Sequence, residues 1–335
     1  MRERPTPEVL LDGILRGDRA ALGRAISLIE SRLPEDQARA QTLLDLLPPS
    51  ASNTVRIGIT GPPGAGKSSF IERLGLELCR ERDAPVAVLA IDPSSPESGG
   101  SVLGDKTRME ELSREPRAFI RPSPSSGLLG GVARHSAELV RLCEAAGYRY
   151  LFIETVGVGQ SEYQVRELCD VVVLLLLTGS GDQLQALKRG IMETADLIVI
   201  HKADGINAVR ARSLALEVRQ ALGMRTTGKA FTKVMTASSL PDVPRSESGI
   251  AEIIDALDAW VLSAKAGGGF EAKRKEQMER RIRHRAEEAL LEAFQNWLNS
   301  KPFREEIGLQ KVRESEKIRQ WMIEFAASLR PDSRS

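Results

Sequence analysis

The chain has 335 residues, enough for one large α/β domain with added elements or for two ordinary domains. Lysine and arginine total 47 while aspartate and glutamate total 46, so the net charge of +1 excludes bulk attraction to nucleic acid or an anionic membrane. Aromatic residues are only 4% of the chain, which disfavours stacking platforms for single-stranded nucleic acid. Any anion that this protein binds must therefore be held by a local site.

Two features bear on where the protein works. The longest apolar run, Val171 to Leu177, has seven residues, whereas a membrane span needs roughly 20. The segment from Met1 to Leu15 mixes charged residues and proline with a few leucines and lacks the apolar stretch of a secretory signal. We therefore expect a cytoplasmic protein that contacts neither membrane nor nucleic acid.

The first 50 residues have helical periodicity. Apolar residues such as Leu22, Ile26 and Ile29 recur at spacings of three and four, and Pro34 interrupts the pattern. The sequence predicts a helical extension of three helices over residues 1–50.

From residue 55 onward, short apolar segments alternate with helical segments. This pattern is typical of a mostly parallel sheet covered by helices on both faces. We expect strands at Val55–Thr60, Val86–Ile91, Ala118–Arg121, Tyr150–Glu154, Val171–Leu177, Leu197–His201 and Lys233–Thr236. We expect helices at Lys67–Arg82, Gly130–Ala146, Asp182–Thr194 and Asn207–Leu222. The predicted fold class is α/β, with one nucleotide-binding domain over residues 55–265.

The sequence predicts helices from residue 250 to the C-terminal region. One more helix, Ile250–Ala264, precedes the run Gly267-Gly268-Gly269, which we expect to lie outside any element. Two amphipathic helices follow at Glu271–Asn299 and roughly Arg313–Leu329. Such helices pack on the core domain or on another copy of the chain. We predict that residues 270–330 form a dimerisation arm of a homodimer; a lid or a partner-docking element is the alternative.

A phosphate loop follows the first predicted strand. The run that matches GxxxxGK[ST] between a strand and a helix is Gly61-Pro62-Pro63-Gly64-Ala65-Gly66-Lys67-Ser68. Glycines let successive N–H groups converge on phosphate oxygens, Lys67 reaches the β and γ phosphates, and the Ser68 hydroxyl binds magnesium. We include the following Ser69 among the predicted nucleotide-binding residues. The motif predicts a P-loop NTPase that binds a nucleoside triphosphate with Mg²⁺.

Acidic residues at strand ends are candidates for the metal site. Asp92 follows one predicted strand and Glu154 ends another, and the carboxyl ends of strands in an open α/β sheet border the ligand crevice. Glu154 also begins a variant of the DxxG motif, in which the Gly157 N–H senses the γ phosphate. Asp105 lies in a Gly/Ser-rich loop that could close over the phosphates, although helix capping is an alternative. We predict that Ser68, Asp92, Asp105 and Glu154 hold the metal.

A second motif selects the base. The run His201-Lys202-Ala203-Asp204 resembles the [NT]KxD sequence of GTPases, in which the aspartate accepts hydrogen bonds from guanine N1–H and its amine. Adenine lacks this donor pair, so Asp204 favours GTP over ATP. Lys202 is expected over the base plane and Ser238 in the loop that backs the base. His201 replaces the usual asparagine, which we expect to weaken the bracing of this loop.

Several loops together resemble one family. The stretches are Asp92-Pro93-Ser94-Ser95, Gly99 to Met109, Arg121 to Gly127, Glu154 to Glu162 and Gly181 to Gly190. In this order they resemble the MeaB-type G proteins, also called ArgK-like, which chaperone adenosylcobalamin-dependent acyl-CoA mutases. The resemblance runs from about residue 9 to 325 and is densest in the nucleotide domain.

The resemblance implies a homodimeric GTPase of low intrinsic rate. Such a protein gates cofactor delivery to the mutase, protects it from inactivation and is stimulated by it. The catalytic residues that the resemblance implies are Lys67, Asp92, Glu154 and Lys188, with Lys188 in a loop that responds to the mutase. An unstimulated rate that is slow also fits the lack of an arginine in the phosphate loop.

Three other functions compete with this interpretation. A nickel-type metallochaperone GTPase shares the nucleotide fold but needs a metal site, and the sequence has neither a CxxC motif nor a histidine tract. A kinase or transport ATPase needs adenine selection, which Asp204 contradicts. A GTP-dependent scaffold that does not hydrolyse the nucleotide stays open.

Overall fold

The computed structural model describes residues 4–31, 33–49, 53–91, 109–122, 131–155, 161–178, 195–223, 232–299, 319 and 321–326. The chain forms two compact units, Met1–Arg274 and Lys275–Ser335. The predicted division into residues 1–50, 55–265 and 270–330 stays a prediction.

The described residues form a seven-stranded sheet in which every strand pair is parallel. The strands are β1 Val55–Thr60, β2 Val86–Ile91, β3 Ala118–Pro122, β4 Tyr150–Thr155, β5 Val171–Leu177, β6 Leu197–His201 and β7 Lys233–Thr236. Their order is β3-β2-β4-β1-β5-β6-β7. All seven predicted strands are present, and β3 and β4 each extend one residue further than predicted. The predicted α/β fold class is confirmed.

The order of the central strands determines where a ligand-binding crevice forms. Strand β1 lies between β4 and β5, with Ile59 beside Glu154 and Thr60 beside Leu174. The chain leaves β1 toward one side of the sheet and returns to build the other side from β5 onward. A crevice forms where the strand order switches in this way, outside the carboxyl ends of the strands. The carboxyl ends of β1 and β4 therefore both border that crevice.

Helices cover both faces of the sheet, as the alternation of strands and helices predicts. They are α1 Pro7–Leu15, α2 Arg19–Ile29, α3 Pro34–Leu46, α4 Lys67–Glu81, α5 Glu110–Arg114, α6 Gly131–Ala145, α7 Ser161–Leu168, α8 Asn207–Gly223, α9 Arg245–Ser248 and α10 Ile250–Ala266. The short helices α5, α7 and α9 were not predicted, because four to eight residues carry little periodicity. The predicted helix Asp182–Thr194 lies outside the described residues.

Alternate residues of a strand point to opposite faces of the sheet and pack in separate hydrophobic clusters. Ile57 and Ile59 of β1 pack with Phe70 of α4 and with α10 on one face. Leu151 of β4 packs on the other face with α6, α7 and the three N-terminal helices. A third cluster joins β5 and β6 to α8. The predicted N-terminal helices are thus present and bury their apolar stripes against one face of the sheet.

The helix α11, Gly269–Asn299, leads into the second unit. It begins at Gly269, so the expectation that all three glycines lie outside an element is wrong for this one. The first N–H groups of a helix need no intrahelical partner, and a glycine is tolerated there. In the second unit the rings of Phe294, Trp297 and Phe325 pack together. Within the described residues, no helix has the length and apolarity that a membrane crossing requires.

Four charged residues meet at the amino-terminal edge of the sheet, and we call them the amino-edge charge cluster. Arg56, Glu144 and Asp170 are buried, and the side chain of Arg274 is 14% exposed. Arg56 Nε donates to Glu144 Oε1 at 2.7 Å, with side chains 4% and 1% exposed. Arg274 of α11 donates to both oxygens of Asp170 at 2.8 and 2.7 Å and to the Thr54 carbonyl oxygen at 2.6 Å. This cluster fixes β1, β5, α6 and the start of α11 to one another, at the end of the sheet opposite the crevice.

Candidate nucleotide-binding site

The phosphate loop occupies the turn between β1 and α4. A Cβ on Gly61, whose φ is +149°, would stand 2.5 Å from the Leu175 carbonyl oxygen, so only glycine lets the loop pass over β5. Gly66 ends the loop with a left-handed φ of +83°. Helix α4 starts at the next residue, and helix N-termini present unpaired N–H groups that bind anions. The backbone has the form that the predicted set Gly61, Pro62, Pro63, Gly64, Ala65, Gly66, Lys67, Ser68 and Ser69 requires.

Lys67 lies back against this loop. Its Nζ donates to the Gly61 carbonyl oxygen at 2.8 Å and to the Pro62 carbonyl oxygen at 3.3 Å. Burial lowers the pKa of the Lys67 amine below its ordinary value, and the Glu154 carboxylate partly opposes that shift. A cation in the first turn of a helix is unfavourable for the helix dipole. The position is therefore better suited to holding an anion than to stabilising α4.

Ser68 and Glu154 meet beside Lys67. The Ser68 hydroxyl donates to Glu154 Oε1 at 2.8 Å. Glu154 is only 5% exposed and stands near the end of β4, next to the strand that carries the phosphate loop. Hydroxyl and carboxylate oxygens are ligands that Mg²⁺ accepts, and it uses one or two carboxylates together with substrate phosphates. These two predicted metal ligands therefore fit such an ion.

The predicted base motif forms a loop after β6, which with residues 237–239 we call the base loop. Ser238 Oγ donates to Asp204 Oδ2 at 2.7 Å, and the Ser238 N–H donates to the Ser248 carbonyl oxygen at 2.8 Å. The Ala203 N–H donates to the Ala237 carbonyl oxygen at 3.0 Å. Ser238 is buried, and these bonds orient the Asp204 carboxylate.

Lys202 brings the base loop against the phosphate loop. Its φ is +56°, a left-handed conformation that is uncommon for a side chain with a Cβ and clusters at functional sites. Its Cε lies 3.6 Å from where a Cβ on Gly66 would stand. Two motifs that are far apart in the sequence are therefore neighbours in the fold.

His201 connects the two loops directly. Its Nδ1 lies 2.7 Å from the Ala65 carbonyl oxygen, and its Nε2 lies 2.7 Å from Ser239 Oγ. The imidazole is long enough to reach both loops, and the expectation that histidine weakens the bracing relative to asparagine stays a prediction. Sequence reasoning missed Ser239, although the pair Ser238-Ser239 in the base loop was a signal for a second hydroxyl contact.

Four predicted site residues fall outside the described part of the chain. They are Asp92, Asp105, Gly157 and Lys188. Their roles in metal binding, γ-phosphate sensing and catalysis stay predictions. The described residues bring together Lys67, Ser68 and Glu154 on the phosphate side and Lys202, Asp204 and Ser238 on the base side.

Comparisons with known proteins agree on one family. The sequence profile of the family described as "Methylmalonyl Co-A mutase-associated GTPase MeaB" matches residues 22–299. The GTPase ArgK of Escherichia coli is 46% identical over 278 residues, which cover 82% of each chain. The mitochondrial methylmalonic aciduria type A homolog of Caenorhabditis elegans is 43% identical over 302 residues, which cover 87% of this chain and 75% of the relative.

A solved structure agrees as well. The crystal structure of a LAO/AO transport system kinase superposes with a TM-score of 0.73 at 32% identity, and the match covers 97% of this chain and 99% of that one. A profile match over most of the chain, together with relatives above 40% identity, shows the family. The chain belongs to the MeaB family of methylmalonyl-CoA mutase-associated GTPases and is a GTPase that binds guanine nucleotide.

Proposed function

We propose that the protein is a Mg²⁺-dependent GTPase chaperone that gates cofactor delivery to an adenosylcobalamin-dependent acyl-CoA mutase and protects that enzyme. The observation that carries the nucleotide chemistry is the junction of the phosphate loop with the base loop through Gly66, Lys202 and His201. The mutase partner rests on the family description and on the relatives named for methylmalonic aciduria.

Guanine selection is assigned to Asp204. Within the described residues Ser238 engages Oδ2, so Oδ1 remains for a ligand. A carboxylate at this point accepts hydrogen bonds from the N1–H and the exocyclic amine of guanine, whereas adenine offers no such pair. A hydrogen bond to a charged group contributes about 1.5–3 kcal/mol, which is enough to separate the two bases tenfold or more.

Phosphate binding and hydrolysis are assigned to the carboxyl edge of β1 and β4. Lys67 would exchange the Gly61 and Pro62 carbonyl oxygens for phosphate oxygens. Ser68 and Glu154 would hold Mg²⁺ together with Asp92 and Asp105, and the bound ion would neutralise phosphate charge. Glu154 would also orient the attacking water with Asp92. Lys188 would supply positive charge when the mutase binds.

The C-terminal helices are proposed as the dimerisation arm. Met278, Ile282, Leu290 and Leu291 of α11 are each more than half exposed, an unusual density of apolar side chains on one helix in water. A second copy of the chain would cover them. Light scattering tests this assignment: Ile282→Arg should shift the protein to monomer, whereas Leu262→Arg, at an exposed position on α10, should not. A dimer that survives Ile282→Arg and Leu290→Arg together contradicts the arm.

The mutase assignment is tested by GTP hydrolysis with and without candidate enzymes. Methylmalonyl-, isobutyryl-, ethylmalonyl- and hydroxyisobutyryl-CoA mutases are the partners to try. One of them should raise the hydrolysis rate at least about tenfold, since partner-supplied ordering of a catalytic cation gives large effects in phosphoryl transfer. Lys188→Ala should lower the stimulated rate more than the basal rate. Hydrolysis that none of the mutases changes would refute the partner, while leaving the GTPase itself intact.

A further inference from the structure

The middle of strand β1 has a glycine where a helix lies against it. In the register of the sheet Gly58 stands between Ile153 of β4 and Val172 of β5. Paired residues of neighbouring parallel strands point to the same face, so the missing side chain leaves a groove between two buried, branched neighbours. Helix α7 places its Val165 at this groove.

The contact leaves no space for a side chain on Gly58. A Cβ there would stand 2.3 Å from Val165 Cγ1 and 2.9 Å from Cys169 Sγ. Both of these residues are buried, so neither side chain can turn aside into solvent. The φ of Gly58 is not positive. Close approach of the helix, and not the backbone conformation, is therefore what requires a glycine inside this strand.

The strand is held more firmly than the helix. Strand β1 is hydrogen-bonded to β4 on one side and to β5 on the other. Helix α7 is fixed at its C-terminal end, where the Asp170 N–H donates to the Arg56 carbonyl oxygen and Asp170 Oδ2 accepts from the Arg56 N–H, each at 2.8 Å. A side chain on Gly58 would therefore tilt α7 about Asp170 and leave β1 in place.

Such a tilt would be largest at the carboxyl edge of the sheet. Helix α7 follows β4 and precedes β5, so it begins at the carboxyl edge and ends at the amino edge. Carbon atoms that are not bonded approach to about 3.5–4.0 Å, so Val165 would have to move by more than about 1 Å. Ser161 is nearly twice as far along the helix from Asp170, so the first turn of α7 would move by about 2 Å.

We propose that Gly58 is a positioning residue for GTP hydrolysis: the groove at Gly58 holds the first turn of α7 at the distance from the phosphate loop that hydrolysis requires. This inference rests on the proposed function and on the prediction that Gly157, four residues before α7, senses the γ phosphate. A misplacement of about 1 Å costs roughly a hundredfold in rate at a reacting centre. GDP has no γ phosphate, so its binding does not depend on this distance.

Gly58→Ala tests the proposal by separating turnover from binding. The kcat of GTP hydrolysis should fall at least about tenfold, because the displaced first turn of α7 misplaces the groups that meet the γ phosphate. The KM for GTP and the Kd for GDP, measured by calorimetric titration, should stay within about twofold of the wild type, since β1 and the phosphate loop keep their positions. A folded Gly58→Ala protein with the wild-type kcat, or with GDP affinity reduced as much as kcat, would overturn the proposal.

Removing the opposing atoms should relieve the effect. Val165→Ala and Cys169→Ala together delete the two atoms nearest to the added Cβ, and Cys169 Cβ then remains at 3.4 Å. In this background Gly58→Ala should change kcat by less than about threefold. A full loss of kcat in the background would show that alanine acts through β1 itself, against the proposal. If Gly58→Ala does not fold, Val165→Ile adds a carbon from the helix side. It should lower kcat with GDP affinity retained, and an unchanged kcat would contradict the proposal.

Gly13→Ala is the matched control for damage to the fold. A Cβ on Gly13 of α1 would stand 2.6 Å from Ala21 Cβ of α2, a similar clash among the N-terminal helices. This variant should lose stability in a urea titration and keep its kcat. Equal losses of kcat in Gly13→Ala and Gly58→Ala would show a purely structural effect. Gly157→Ala that hydrolyses GTP as fast as the wild type would instead refute the predicted γ-phosphate role of Gly157.

Discussion

The two edges of the sheet hold charged side chains in different ways. At the amino edge, oppositely charged side chains form ion pairs. Arg56 pairs with Glu144 and Arg274 pairs with Asp170, and both carboxylates are 1% exposed. At the carboxyl edge, Lys67 contacts main-chain carbonyl oxygens, and Ser68 meets Glu154 through a neutral hydroxyl. The Asp204 carboxylate likewise accepts from the Ser238 hydroxyl.

The difference separates structural charges from ligand-binding ones. Removing one partner of a buried ion pair leaves an uncompensated charge and costs about 3–5 kcal/mol. A lysine that rests on carbonyl oxygens can exchange them for phosphate oxygens, which carry full charge. The charges of the amino edge therefore depend on one another within the fold, and the carboxyl edge remains available to the nucleotide.

The largest expected effect is at the amino edge. Glu144→Gln removes the charge that Arg56 faces and keeps the shape, so the free energy of unfolding should fall by about 3–5 kcal/mol in a urea titration. Glu111→Gln alters an exposed ion pair with Arg80 and should change this free energy by less than about 0.5 kcal/mol. If both variants lose the same free energy of unfolding, the amino-edge charges are no more important to stability than exposed ones, which contradicts this prediction.

Lys67→Ala tests the carboxyl edge. We expect GTP hydrolysis to fall at least about a hundredfold, because phosphate loses its positive partner. The melting temperature without nucleotide should change little, since the hydrogen bonds of Lys67 within the described residues go to the Gly61 and Pro62 carbonyl oxygens. Hydrolysis that persists at the wild-type rate would refute this assignment.

Asp204→Asn tests base selection at the same edge. GDP affinity should fall about tenfold, because the amide accepts hydrogen bonds without the carboxylate charge. The preference of the wild type for GDP over ADP should shrink in this variant, as measured by competition with a fluorescent nucleotide. Glu217→Gln, an exposed change on α8, is the matched control. ADP that competes as well as GDP for the wild type would contradict guanine recognition.

The smallest expected effect is a pH dependence. Burial lowers the pKa of His201, and Lys202 lowers it further, while the Ala65 bond and Asp204 oppose the shift. As pH falls below about 6.5, the unfolded chain takes up this proton first, so the stability that the neutral ring contributes is lost. Between pH 7.5 and 5.5 the melting temperature of the wild type should fall more than that of His201→Asn, by on the order of 1–2 °C. Parallel curves would show that the ring titrates normally.

The sequence predicted the fold because its signals are local. Each strand is a short apolar run such as Val171–Leu177, and parallel strands buried on both faces leave little ambiguity. Helices of four or five residues, α9 and α5, lack a periodic pattern and were missed. The expectation that Gly269 lies outside any element is wrong, because composition alone does not show that a glycine stands at the first position of a helix.

The parts of the nucleotide site that lie within one short sequence motif were predictable. The phosphate loop and Asp204 follow from short sequence patterns, whereas the bridge from Ala65 through His201 to Ser239 joins three distant segments. The amino-edge charge cluster was not predicted for the same reason. Arg56, Glu144, Asp170 and Arg274 are ordinary charges in the sequence until strand register and helix packing bring them together.

We propose that GTP bound at the carboxyl edge enables this protein to protect a mutase. The most direct measurement is the time course of methylmalonyl-CoA mutase turnover, with GTP, in the presence of wild-type protein or of Lys67→Ala. We expect the wild type to lengthen the active lifetime of the mutase and Lys67→Ala to leave it as short as without added protein. The same lifetime in all three reactions, with this mutase and with its relatives, would contradict the claim.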